Sequence, residues 1–284
     1  MAGDVLGRRA LNRATLARQL LLRRWDLPVA EAVQRLAGLN GQDPEPPYLG
    51  LWARLAGFRH HALTKALEDR EVVRSTLLRG TQHLVTAADY LAWRPLLQPM
   101  LEQRRRGAFG RSTAGVDTAA LAAATRELLA ERPLTRPELG RLLAERWPGQ
   151  DPVSLAWSAQ YLVPLVHPPP SGTWGKRGAI PCVLAESWLG RPLPAAASPA
   201  GMITRHLAAF GPASVWTSRP GPGSPGCASR SSGSPRSCAR SATSTAGGST
   251  TCPTPPVPTP TPRRRCACCP RWTTSCSPTP TAPA

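Results

Sequence analysis

Apolar residues recur at three- and four-residue steps through most of the first 215 positions, the spacing of helices that bury one face. The pattern predicts a basic helix over 8–25 with its leucines on one side. A second helix follows Pro28 and is expected to end at Gly38 and Gly41, and a short third helix is predicted over 49–55. This part of the chain is therefore expected to be mainly helical.

The segment 71–86 departs from the helical pattern. Runs rich in Val, Leu and Thr lie on both sides of Arg79-Gly80, which is typical of a β-hairpin. Thr86, followed three residues later by Asp89, is a helix-capping pattern and predicts a helix from Tyr90 to Leu97. Helices followed by a hairpin are characteristic of a winged helix.

The same order of elements recurs further along the chain. Its predicted helices span 118–131, 136–147 and 152–163. A capping box of Thr135 and Glu138 opens the second of these helices, and Asp151 before Pro152 opens the third. The turn-rich, basic segment 168–178 then occupies the place of the wing, as in DNA-binding winged helix-turn-helix domains.

The expected fold class is mainly α with short β-hairpin wings, in which tandem winged helix-turn-helix units are followed by a disordered tail. The first unit is predicted over 5–110 and the second over 115–195. A third unit is expected to begin within 200–215, where one apolar helix over 202–211 is followed by an abrupt change of composition. The tail is predicted over 216–284.

The tail uses only nine residue types, holds seven of the eight cysteines and eight arginines, and contains no acidic residue. Its few large apolar residues cannot offset the entropy lost on ordering, so disorder is expected. GC-rich DNA translated out of frame has this composition, and we hypothesise a frameshift near codon 215. A continuation rich in Leu, Val and Asp in another frame is the expected observation. The alternative is a genuine basic tail that adds non-specific DNA affinity.

Charge suggests a polyanionic partner. The first 215 residues contain 27 Lys and Arg against 17 Asp and Glu, an excess of 10 that favours binding to double-stranded DNA. Only Lys65 and Lys176 are lysines, so a GC-rich genome is an alternative source of the arginines.

The expected location rests on hydropathy, the N-terminal sequence and cysteine usage. No run of 18 apolar residues predicts a membrane span, and the N-terminus lacks the apolar core of a signal peptide. A single cysteine in the first 215 residues, Cys182, fits a reducing compartment. A cytoplasmic, nucleoid-associated monomer is expected.

Three segments, in this order, resemble the bacterial winged-helix DNA glycosylases of the AlkZ/YcaQ type, which include enzymes that unhook interstrand crosslinks. They lie at 36–55, at 78–85 (Leu-Arg-Gly-Thr-Gln-His-Leu-Val) and at 169–175 (Pro-Pro-Ser-Gly-Thr-Trp-Gly). The resemblance covers roughly 5–215 and implies tandem winged helices followed by a C-terminal β-barrel. The family's catalytic Gln-x-Gln motif corresponds to Asn40-Gly41-Gln42, in which the first amide is one methylene shorter.

The resemblance implies that Asn40 and Gln42 are catalytic. A carboxamide does not titrate, so it orients a water but cannot act as a general base. That suffices when the leaving base already carries a positive charge, as an N-alkylated purine does. The expected function is excision of alkylated bases or unhooking of crosslinks. The alternatives are a non-catalytic winged-helix DNA-binding protein or regulator, and an inactive truncated family member. For the amides themselves, the structural alternative is that they hold a turn.

Six residues are predicted to contact DNA, three in or beside the first hairpin and three in the second wing, because wings commonly track phosphates. They are Arg74, Arg79, His83, Trp174, Lys176 and Arg177. A structural role is the leading alternative for His83. Asp43 is expected to set a turn before Pro44, and the alternative for it is a catalytic carboxylate. No cofactor and no metal are expected, since Cys266, Cys268, Cys269 and Cys276 lack the spacing of a zinc site.

Overall fold

The computed structural model of the protein describes residues 7–195 and 197–211. The end of the predicted third unit and the whole predicted tail, 216–284, with its cysteines and the hypothesised frameshift, lie outside the described residues. So do positions 5 and 6 of the predicted first unit. We refer to residues 7–110 as the first half and to residues 115–195 as the second half.

The first half contains helices on both sides of a small antiparallel sheet with the strand order β1-β3-β2. In β3, His83 faces Asn40 on one side and Ser75 on the other. The elements are α1 (Arg8–Arg18), α2 (Val29–Arg35), β1 (Leu39–Asn40), α3 (Glu45–Trp52), α4 (His60–Glu68), β2 (Val72–Thr76), a 3₁₀ turn (Leu78–Gly80), β3 (Gln82–Thr86) and α5 (Ala87–Phe109).

The second half repeats the order of elements from α2 to β3, and its antiparallel sheet has the matching strand order β4-β6-β5. Its elements are α6 (Thr118–Glu131), β4 (Leu134–Thr135), α7 (Arg136–Arg146), α8 (Pro152–Leu162), β5 (Leu165–Val166), β6 (Pro181–Leu184) and α9 (Ala185–Leu189). A further helix, α10 (Pro199–Phe210), packs back on the first half, where Ala209 O accepts a hydrogen bond from Gln19. The expectation of a mainly helical fold with small antiparallel sheets is confirmed.

Local capping signals located several helices correctly. The Thr86 side chain accepts from Asp89 N at 3.1 Å, and Thr135 and Glu138 form the predicted reciprocal capping box. Asp151 caps α8 by accepting from two backbone amides of its first turn. These side chains satisfy N–H groups that have no partner within the helix.

Other helix boundaries differ from the predictions. The first helix ends at Arg18, well before residue 25, because Leu20 adopts a left-handed backbone with φ 58°. The third begins at Glu45, since prolines fit in a first turn that needs no intrahelical N–H donor. Helix α5 continues to Phe109, past the expected end at Leu97, because it packs along α8. Helix α4 was not predicted at all.

Three hydrophobic clusters form the core. One lies within the first half around Leu36, Tyr48 and Leu63, and another lies within the second half around Leu121 and Leu143. The third cluster spans the two halves. It combines Leu77, Tyr90, Trp93 and Leu101 of the first half with Val166, Val183 and Ala185 of the second. The two halves therefore share buried apolar surface.

The loop of each hairpin packs on the helices of the opposite half. Gly80, at the tip of the first hairpin, accepts a hydrogen bond from the Tyr161 hydroxyl of α8 at 3.1 Å. The longer second loop, between β5 and β6, brings Trp174 onto His60 of α4, with ring centroids 4.4 Å apart. These contacts hold the second loop beside the first sheet. Among the described residues, no helix is long and apolar enough to cross a membrane.

Polar groups join the two sheets where β2 meets β5. Arg74 O accepts from His167 N at 2.9 Å, and the Ser75 hydroxyl donates to Leu165 O at 2.6 Å. The buried His167 ring connects Pro181 of the second half to Gln82 of the first. Its Nδ1 lies 3.0 Å from Pro181 O, and its Nε2 lies 3.1 Å from Gln82 Nε2. Since a carbonyl only accepts, Nδ1 carries the proton and Nε2 accepts. Burial lowers the pKa of His167 to about 3, so the ring is neutral.

Candidate functional site

The segment Asn40-Gly41-Gln42 leaves the edge strand β1 and turns into α3. Gly41 N donates to Gln82 O at 2.9 Å, which extends the pairing with β3 by one hydrogen bond. A Cβ at Gly41 would lie 3.2 Å from Leu84 Cγ, so glycine allows the segment to lie close against β3. The strand thus sets the path of the backbone that carries both amide side chains.

The two amides accept hydrogen bonds from different parts of the backbone. Asn40 Oδ1 accepts from Gln42 N at 3.0 Å, a side-chain turn of the kind that asparagine often forms. The Gln42 side chain is exposed, and its Oε1 accepts from Gln82 N at 3.3 Å. Both side chains are exposed, and each accepts one backbone hydrogen bond, Asn40 from within the turn and Gln42 from the neighbouring strand β3.

The buried Arg74 guanidinium holds the backbone of this turn. Its Nε donates to Gly41 O at 2.8 Å and its Nη2 to Gln42 O at 3.0 Å. Its Nη1 donates to the Ser171 hydroxyl, in the loop of the second half, at 2.7 Å. Desolvation lowers the pKa of Arg74, but an arginine remains charged at neutral pH, so the hydrogen bonds are charge-assisted.

A glycine makes room for this arginine. A Cβ at Gly172 would lie 2.8 Å from Arg74 Cδ, and the backbone there has φ +81°, a region that favours glycine. The Ser171-Gly172 pair of the second loop therefore accommodates the guanidinium that fixes the first-half turn. Arg74 thus joins the Asn40-Gly41-Gln42 turn to the second loop.

A surface depression of about 220 Å³ lies between the turn and the second loop. Gln42, Asp43 and Arg74 form one side of it, and residues 170–172 and 176–180 form the other. Lys176 and Arg177 are exposed on its rim, and Arg177 pairs with Glu45 at 3.2 Å. The depression thus combines an exposed amide, one carboxylate and a basic rim.

Four of the six predicted DNA-binding residues are available at the surface. Arg79 is exposed at the tip of the first hairpin, in a left-handed backbone conformation with φ 56°. Trp174 is 37% exposed and stacks on His60, while Lys176 and Arg177 lie beside the depression. The structure brings Lys176 and Arg177 together with Gln42, whereas Trp174 lies against His60 and Tyr48.

Arg74 and His83 require a correction. Arg74 is only 3% exposed and its donors point into the protein, so it is not available to a phosphate. His83 is buried as well, with Nδ1 2.9 Å from Thr81 O, and desolvation lowers its pKa, which keeps the ring neutral. A neutral, buried imidazole is the structural alternative considered for this residue.

Sequence reasoning did not single out Gln82 and Ser171. Gln82 contacts Gln42 through its backbone, so no side-chain pattern could indicate it. Ser171 precedes a glycine in a proline-rich loop, a signal of a tight turn but not of an arginine partner. Asp43, expected to set a turn with a catalytic carboxylate role as the alternative, lines the depression.

The repeated helical units and the exposed amides fit a DNA glycosylase family. The chain belongs to the AlkZ-like DNA glycosylase family, whose model matches residues 33–217. Among solved structures it is similar to the DNA glycosylase AlkZ of Streptomyces sahachiroi, with a TM-score of 0.61 and 21% sequence identity. The similarity covers 75% of this chain and 60% of that protein, so the chain spans less than two thirds of the relative. At this sequence identity the structural similarity establishes the fold alone. No curated protein matches the chain.

Proposed function

We propose that this protein is a DNA glycosylase that hydrolyses the N-glycosidic bond of an alkylated base in double-stranded DNA, including bases in interstrand crosslinks. The observation that carries the proposal is the exposed Gln42 amide, whose backbone is locked by the buried Arg74 at the edge of a basic depression. Membership of the AlkZ-like family supports the same activity. A protein of this kind acts at the nucleoid, in the cytoplasm.

The architecture that supports DNA binding is a tandem of winged helix-turn-helix units. In each half a helix, a strand, two helices and a hairpin follow one another, and the first strand pairs with the last. This order and pairing are those of a winged helix. The loop of each hairpin corresponds to the wing. Lys176 and Arg177 of the second wing supply positive charge beside Gln42.

The proposed chemistry relies on the charge of the substrate. An N7-alkylated guanine is a cation, and its departure from the sugar neutralises the ring without an added proton. The water oxygen forms a bond to C1′ while the C1′–N9 bond breaks. The electron pair of the C1′–N9 bond passes into the departing base. The proton of the water is released to solvent. Gln42 orients the water, and its carbonyl dipole stabilises the oxocarbenium character of the sugar. No cofactor is needed for this step.

Asn40 has a supporting role in this scheme. Its carbonyl oxygen accepts from Gln42 N, so it shapes the turn from which the Gln42 side chain projects. The Asp43 carboxylate shares the depression and is the competing candidate, as a general base for the same water. The two schemes differ in the fate of the water's proton, because an amide only orients the water whereas a carboxylate accepts the proton.

The test is release of N7-methylguanine from a duplex oligonucleotide by the full chain, with Gln42→Ala as the variant. Loss of one preorganised group of this kind lowers the rate on the order of 100-fold. Gln103→Ala is the matched control, since Gln103 is an exposed glutamine on α5 that does not line the depression. We expect the control to release the base at the wild-type rate.

A variant of the neighbouring carboxylate separates the mechanisms. Asp43→Asn is expected to change the rate much less than Gln42→Ala does, and a larger loss in Asp43→Asn would assign the reaction to the carboxylate. A wild-type chain that binds duplex DNA but releases no alkylated base would instead be a non-catalytic DNA-binding protein or an inactive family member.

A further inference from the structure

Helices α4 and α8 occupy equivalent positions in the two repeats, each as the helix that precedes the hairpin. Such a helix is the one that a helix-turn-helix protein presents to DNA. The two helices differ in what covers them and in their charge. This difference decides which half can present its helix to a duplex.

Helix α8 is enclosed by its neighbours. It packs against α6 and α7 of its own half and also against α5 of the first half. Trp157 stacks on Phe109 of α5 with ring centroids 6.2 Å apart, and Tyr161 holds the tip of the first hairpin. The helix contains no charged residue, and the residue before it is the acidic Asp151. Neither its position nor its charge suits a phosphate backbone.

Helix α4 has the opposite character at its beginning. Arg59, His60 and His61 are exposed there, whereas the acidic Glu68 and Asp69 lie at the other end of the helix. Lys65 is paired with Asp69 at 2.6 Å. The first turn of α4 is therefore the basic part, and the last turn is the part that a phosphate would avoid.

Basic and aromatic side chains continue this surface beyond the helix. An open depression of about 430 Å³ adjoins α4, and none of its lining residues is acidic. Trp52 on its edge is 54% exposed, and the Arg24 guanidinium lies over the indole at 4.4 Å from the ring centroid. We name the five residues the α4 surface: Arg24, Trp52, Arg59, His60 and His61.

The α4 surface is continuous with the site around Gln42. His60 stacks on Trp174 at 4.4 Å, and the loop that carries Trp174 continues to Lys176 and Arg177 on the rim of the depression. Helix α8 is covered, basic side chains are exposed at the start of α4, and the α4 surface continues to Gln42. We therefore propose that duplex DNA docks on the α4 surface and not on α8. The inference rests on the proposed function, because it names the surface that delivers DNA to Gln42.

Matched substitutions in the two helices test the inference. His61 and Val153 are both exposed and both are the second residue of their helix. Glutamate is favourable in the first turn of a helix, so neither His61→Glu nor Val153→Glu should unfold the protein. The measurement is fluorescence anisotropy of the full chain with an undamaged duplex at several salt concentrations.

We expect His61→Glu to weaken binding about tenfold and Val153→Glu to change it by less than about twofold. Arg59→Gln should reduce the slope of log affinity against log salt by about 1, because one phosphate contact is lost. Equal losses in both glutamate variants, or a loss confined to Val153→Glu, would overturn the assignment of the α4 surface.

The outcome is separable from that of the proposed function, because binding to undamaged DNA needs no chemistry. If affinity falls only in His61→Glu while the wild type releases no base, the docking surface stands and the glycosylase proposal fails. If base is released and His61→Glu binds like the wild type, the glycosylase proposal stands and the docking surface fails. A wild-type chain without affinity for duplex DNA would contradict both.

Discussion

Arg74 and Gln42 show how neighbouring polar residues can take opposite roles. Gln42 is exposed, and its amide is held by one hydrogen bond from Gln82 N. Arg74 is buried and donates to two carbonyls of the Gln42 turn and to Ser171. A planar fork of fixed donors suits this task, because it fixes both carbonyls in one geometry. We therefore regard Arg74 as a positioning residue for Gln42.

Arg74→Lys is expected to slow base release on the order of 10- to 100-fold at saturating DNA, because a single ammonium cannot hold all three acceptors and the Gln42 amide shifts. Affinity for undamaged duplex should stay within about twofold of wild type. Single-turnover kinetics and anisotropy measure the two quantities separately.

Gly172→Ala provides a second route to the same defect, since its Cβ would lie 2.8 Å from Arg74 Cδ. It should reproduce the kinetic loss although Arg74 itself is unchanged. If Arg74→Lys instead weakened DNA binding and left the rate at saturating DNA unchanged, the arginine would be a DNA contact.

At the level of strands and helices, the junction of β2 with β5 joins the two halves through buried polar groups. His167 contributes a neutral ring that donates to Pro181 O and accepts from Gln82. The same Gln82 supports Gln42 through its backbone N–H. The junction therefore links the stability of the fold to the geometry of the site.

This junction makes stability sensitive to acid. The native pKa of His167 is about 3 against an ordinary 6.5, so between these values the unfolded chain binds a proton that the native chain does not. The contribution is fully present above pH 6.5 and is lost as the pH falls towards 3. Between pH 7 and 4.5, wild type should lose about 2–3 kcal/mol more unfolding free energy than His167→Gln does.

Urea unfolding at the two pH values measures this difference. His167→Gln is expected to be less stable than wild type at pH 7, so only the change with pH is compared. Equal losses of unfolding free energy in the two proteins would mean that the native state also protonates His167, or that water reaches the ring and its pKa is not lowered.

For the described chain as a whole, one hydrophobic cluster contains residues of both halves, and the hairpin loop of each half packs on the helices of the other. The stability of each half therefore depends on the other. Leu77 and Leu101 of the first half pack in one cluster with Val166 and Val183 of the second. Separating the halves would expose this cluster to water, at roughly 25 cal/mol for each Å² of apolar surface. We therefore expect the halves to unfold together.

Leu63→Ala and Leu143→Ala test this coupling, because each removes a fully buried leucine from the cluster of one half only. Each should cost about 2–5 kcal/mol and lower the midpoint of one common thermal transition. Calorimetry of both variants gives the result, with the calorimetric enthalpy compared to the van't Hoff value. A variant that splits the transition in two would contradict the coupling.

Several features were predictable because their causes lie within a few residues. The caps of Thr86, Thr135 and Asp151, the hairpin over 71–86 and the helix spacing all depend on neighbours along the chain. The helix α4 was missed because no capping side chain marks its start at Arg59, although Leu63, Ala66 and Leu67 follow the helical spacing. The resemblance to a family pattern indicated the segment Asn40-Gly41-Gln42, whose catalytic role stays a prediction.

The sequence by itself determined the helical class, the repeated order of elements and the position of the amide segment, because periodicity, caps and short motifs act over one or two turns of chain. Only the tertiary structure decided which polar residues are buried. Arg74 became a support for Gln42 because Ser171, 97 positions away, meets its guanidinium. Likewise α8 is covered and α4 is exposed because α5 packs on one and not the other. Burial depends on contacts between distant segments, and a linear pattern does not encode them directly.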